Sequence, residues 1–119
     1  MSSQFNPLIN SIQQDLLNNI EDLDLPIVQK QHIRILAHCL QTFKNILVEN
    51  EAEFLSKTLL MKWCVCQSKI LKEPSFAELL FEQMNAAYYK LENFSNNIGK
   101  TILELEFEDL INLVSAENE

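Results

Sequence analysis

Apolar residues recur at helical spacing along nearly the whole chain. At 100° per residue Phe5, Ile9, Ile12, Leu16, Ile20 and Leu23 fall in one narrow stripe, with Leu17 outside it. Asn6 and Pro7 supply an N-cap and a first helical residue, so a helix is predicted over 7–23 that packs along one side. Pro26 opens a second over 26–48, where Val28, Ile35, Leu36, Cys39, Leu40, Phe43, Ile46 and Leu47 share a broad face. Asn50 and Glu53 form an Asn-x-x-Glu start for a third over 51–72, which Pro74 brings to an end.

Ser75 and Glu78 read as a capping box for a fourth helix over 76–98. Phe76, Leu80, Met84, Ala87, Leu91, Phe94 and Ile98 line one face of it, and Gly99 stands where a left-handed residue closes a helix. Thr101 and Glu104 repeat the box before a fifth over 102–115, lined by Leu103, Phe107, Leu110, Ile111 and Val114. The segment "LELEFE" also alternates like a strand, but a lone strand would have no partner.

Composition agrees with the pattern. One glycine and three prolines in 119 residues leave little material for the turns of a sheet protein. There is no repeat, linker or low-complexity tract, so residues 1–119 read as a single helical domain. The predicted fold class is all-α, a compact bundle of four to five helices with antiparallel neighbours. No apolar run approaches the ~20 residues of a membrane span, and the N-terminus has no secretory character. Three cysteines, an odd number, suit reduced thiols and a cytoplasmic location.

Charge narrows the function. Seventeen acidic residues against nine basic ones give a net charge of −8, a balance that argues against binding nucleic acid through its phosphates. A single glycine cannot build a phosphate-cradling loop, and Glu-x-x-His, the ligand pair of di-metal bundles, does not occur. These absences predict a protein that is not an enzyme and holds no cofactor.

The stretch "KWCVC", Lys62 to Cys66, raises the question of metal or redox chemistry. On a helix Cys64 and Cys66 point about 200° apart, so they cannot share one metal ion. Leu55, Leu59, Leu60, Trp63, Cys66, Ile70 and Leu71 cover about half the circumference, with Cys64 at its edge. That arc predicts the most central helix of the bundle, with Cys66 a small buried hydrophobe. His32 falls in the apolar stripe near Val28, Leu36 and Cys39, where a hydrogen-bonded core histidine is expected. A ligand or metal cluster of His32, Cys39 and Cys64 or Cys66 is the alternative.

The remaining anomaly is on the third predicted helix. Phe54, Met61 and Val65 lie off the apolar arc among Lys57, Lys62, Lys69 and Lys72, a basic face with apolar side chains in an acidic protein. Leu17, Leu79, Tyr89 and Leu105 are similarly off-stripe. Together they predict a protein partner or a homodimer, with no nucleic acid and no membrane. The function expected is a cytosolic interaction or regulatory adaptor acting through helix faces, the alternative being a small-ligand or metal-binding bundle.

Overall fold

The computed structural model describes residues 20–117, so the predicted helix 7–23 lies almost wholly outside the described residues. Four α-helices follow: α1 (Ile27–Glu49), α2 (Lys57–Leu71), α3 (Phe76–Asn97) and α4 (Phe107–Glu117). A 3-10 turn, Ile102–Glu104, precedes α4. Among the described residues there is no strand, and "LELEFE" is divided between that turn, two extended residues and the start of α4. The chain adopts the all-α bundle that its apolar period predicts.

Three helix ends share one device. After α1 the amide of Ala52 donates to the Leu47 carbonyl at 2.9 Å, with Glu51 between them at φ 51°. After α2, Glu73 donates to Ser68 at 2.9 Å and Lys72 takes φ 59°. After α3, Lys100 donates to Ser95 at 2.8 Å and Gly99 takes φ 72°. These are Schellman closures, which satisfy the last carbonyls of a helix by turning one residue left-handed. Only the third is marked by glycine. Glu51 and Lys72 hold a conformation that L side chains disfavour by about 1–2 kcal/mol; the sequence reading placed both helix ends within one residue, at 48 and 72, without a glycine to mark them.

The boundary between α1 and α2 is corrected accordingly. Asn50 does not start a helix; its side-chain amide donates to the Ile46 carbonyl at 2.8 Å and closes α1. The following helix begins six residues later than read, where the Ser56 hydroxyl accepts the amide of Leu59 at 3.1 Å. Ser75 makes no side-chain cap at the start of α3. The Glu104 carboxylate does accept the Thr101 amide at 2.9 Å, but that pair opens the 3-10 turn rather than a fifth α-helix. Asp109 caps α4 instead: it accepts the Glu106 amide at 2.8 Å and pairs with Lys100 at 2.9 Å. Burial raises the Asp109 carboxyl, but those two donors outweigh it and hold the group below its usual range.

The centre of the bundle is α1, not α2. Helix α1 touches α2, α3, α4 and the 3-10 turn, and its Ile33, Leu36, Leu40, Phe43, Ile46 and Leu47 are all buried. The Lys44 ammonium donates to the Leu105 carbonyl, fastening the segment before α4 to this helix. Leu105 is fully buried there, so it belongs to the core and not to a surplus apolar face. The broad face predicted for α1 is narrower in fact: Val28 and Ile35 are 80% and 60% exposed. Ile70, Leu71, Ile98 and Leu103, all assigned to packing faces from the sequence, are exposed as well.

Helix α2 packs chiefly on α3 and buries the row Leu60, Cys64, Ser68. Its buried side is rotated about 100°, one residue's step, from the predicted arc. The cause is the size of the side chains. Cys64 and Ser68 are small enough for close helix approach, and the Ser68 hydroxyl donates to the Val65 carbonyl at 2.9 Å. A serine satisfied within its own helix is buried without an unpaired group.

One hydrogen bond ties the α1–α2 connection to α3. The Leu55 amide donates to the Tyr88 hydroxyl at 3.1 Å, with both residues buried. The Tyr88 ring meets Phe43 edge-on, with centroids 5.3 Å apart and planes at 90°. Substituting Tyr88→Phe keeps the ring contact but strands the Leu55 amide in an apolar setting. We expect that change to cost about 1–3 kcal/mol in chemical denaturation, and a loss well below that range would show the amide finds another partner.

Candidate functional site

Where α2 lies against α3 the two helices leave an open groove of about 570 Å³. Its lining comes almost entirely from α2: Lys57, Thr58, Met61, Lys62, Val65, Cys66 and Lys69, with Phe81 from α3. Helical geometry explains the order. Lys57, Met61, Val65 and Lys69 are successive one-turn steps on one row, and Thr58, Lys62 and Cys66 form the row beside it. Two apolar side chains are thus bracketed by cations, and among the described residues no acidic one lines the groove.

Five of the seven residues predicted as a partner surface, Lys57, Met61, Lys62, Val65 and Lys69, stand together here. Phe54 is 69% exposed in the α1–α2 connection, outside the lining, and Lys72 closes α2 beyond it. Three residues were missed. Thr58, polar and uncharged, carries no signal in the sequence that marks it as groove lining. Cys66 had been assigned to the core but is exposed at the groove, one turn beyond Lys62. Phe81 sits off the predicted stripe of α3, and its arrival opposite α2 depends on packing that no local pattern carries. Met61 and Phe81 also pack against the core, whereas Val65 does not.

Electrostatically the groove is unlike the rest of the chain. Residues 54–72 contain four lysines and no acid, while the remainder holds all 17 acids against five basic residues. The ion pairs among the described residues join Arg34 to Glu21, Lys90 to Glu117 and Lys100 to Asp109, so none engages Lys57, Lys62, Lys69 or Lys72. Lys57 is moreover the first residue of α2, where the helix dipole disfavours a cation by about 0.3–1 kcal/mol.

The histidine–cysteine cluster does not form. His32 is half-buried at the bundle surface, with its Nε2 3.5 Å from the Lys90 ammonium, and is not a core histidine. Cys39 is buried with its Sγ 4.0 Å from the Met84 sulfur. Cys64 is fully buried in the α2 row, and Cys66 points away from both. Burial pushes the Cys39 and Cys64 thiols up, which disfavours the thiolate a metal would need. Among the described residues no group of three or more His, Cys, Asp or Glu could hold a metal ion.

Fold and groove together define a small helical bundle, acidic over most of its length, that carries a basic-rimmed apolar surface. A family model described as "NDH complex assembly factor CRR9" matches residues 12–119, and the chain belongs to that family. No curated protein and no solved structure matches it. The family overturns the generic regulatory adaptor expected from the sequence, because its described role is the assembly of one particular complex. It equally displaces the ligand- or metal-binding alternative. An assembly factor implies protein partners. No helix among the described residues is long and apolar enough to cross a membrane.

Placing an aspartate in the groove separates core from surface. Val65→Asp should change stability by no more than about 0.5 kcal/mol, whereas Met61→Asp, set against the core, should cost about 1–3 kcal/mol. Thermal melts followed by circular dichroism check both. Equal losses would mean that Val65 is also a core residue.

Proposed function

We propose that this chain takes part in building an NDH complex by holding a protein subunit or assembly intermediate, and that it does so without catalysing a reaction. The observation that carries this reading is the family match over residues 12–119. The groove supports it physically, since a cluster of apolar side chains open to solvent beside lysines that form no ion pair among the described residues is the form of a protein-binding surface rather than of a catalytic cleft. Three free cysteines, two of them buried, fit work in a reducing compartment such as the cytosol.

Deleting the chain from its native host tests the reading. Native gel electrophoresis with immunodetection of NDH subunits should show loss of the mature complex and build-up of a smaller subassembly, with subunit transcripts unchanged. Full accumulation of an inactive complex would contradict it and indicate a role in operating or modifying the complex instead.

A further inference from the structure

We propose that the α2–α3 groove receives an acidic amphipathic helix of a partner protein, an inference that rests on the assembly reading. The row Lys57, Met61, Val65, Lys69 sets the chemistry of the occupant: two aliphatic side chains one turn apart, with carboxylates about a turn to either side. The row spans roughly 18 Å, twelve residues at 1.5 Å each, so a complementary helix needs about three turns. A helix suits the surface better than an extended peptide. The described residues offer no sheet edge to which a strand could add, whereas adjacent helices present ridges that seat a third.

Charge selects both the occupant and its place. The four lysines of residues 54–72 have no carboxylate partner among the described residues, and the rest of the chain carries 17 acids against five basic residues. An acidic helix is repelled elsewhere and attracted here, which fixes orientation as well as affinity. The same distribution works against nucleic acid or an anionic bilayer, because either would confront the acidic body once it reached the lysines. Lys57 is consistent with the assignment: it weakens its own helix start and has no ion pair within the described chain to offset that.

The test uses the full chain and its only exposed thiol. Cys39 and Cys64 are buried, so a benzophenone maleimide added to the folded protein attaches at Cys66, on the groove. The labelled chain is irradiated with NDH assembly intermediates isolated from the host through a tagged NDH subunit, and the joined peptide is sequenced. The expected product is a segment of a different protein, net negative, with aliphatic residues three or four apart. The K62E/K69E double variant should lower its yield about tenfold or more, with the melting curve unchanged, and added salt should lower it for the wild type. Three crosslinking outcomes overturn the proposal: a product joined to a second copy of this chain, a product without acidic residues, or an undiminished yield from the double variant. Flotation with phosphatidylglycerol vesicles is run alongside, and recovery of the wild type but not the double variant would overturn it in favour of a lipid surface. Failure of the assembly reading is separately visible. If the unlabelled wild type co-purifies with no NDH subunit, that reading falls; if wild type and double variant co-purify equally, only the groove assignment does.

Discussion

The position of α2, and with it the groove, depends on the bond between the Leu55 amide and the Tyr88 hydroxyl. The connection from Asn50 to Ser56 contains no helix and little apolar burial apart from Leu55, so it could enter α2 at many angles. Tyr88 removes that freedom. Its hydroxyl takes the amide one residue before the Ser56 cap, and its ring is held edge-on by Phe43 of the central helix. Both contacts lie inside the core, where an unmade hydrogen bond costs more than a made one contributes. The start of α2 is therefore set by α1 and α3 together, and the row from Lys57 to Lys69 takes its direction from that start.

Packing then decides which side of α2 faces out. The helix buries Leu60 together with Cys64 and Ser68, two small side chains that allow close contact but bury little area. Larger residues, Met61 and Val65, are left at the edge of the contact, where they form the floor of the groove. The lysines around them form no ion pair among the described residues. Burying Met61 and Val65 fully would have gained more from the hydrophobic effect. The arrangement here gives up part of that gain and retains an apolar, cationic surface, as expected of a protein whose family is described by the assembly of a larger complex.

Much of the fold was legible in the sequence because helical period is a local property. The sparse glycine and the stripes of α1, α3 and α4 are read directly from spacing. The rest was not legible for identifiable reasons. Asn50 can open one helix or close another, and the choice is made by Glu51 turning left-handed and by Tyr88 far along the chain. The setting of α2 was misjudged by one residue because an apolar wheel ranks Cys66 and Ile70 above Ser68, whereas the fold ranks them by size and by internal hydrogen bonding. The lysine-rich face could be seen, since all its cations lie on one helix. Phe81 could not, because only tertiary contact brings it opposite. The histidine–cysteine cluster failed for the converse reason: a shared helical face places residues on one side but not at one point.

Where a partner touches this chain decides whether the α2–α3 groove is its docking surface. Amide hydrogen exchange of the full protein, alone and bound within an isolated NDH assembly intermediate, measures that residue range by residue range. Added protection concentrated in 57–69 and around Phe81, with α1 and α4 unchanged, is the predicted result. Protection confined to the exposed Val28 and Ile35 side of α1, with α2 exchanging as in the free protein, would contradict it.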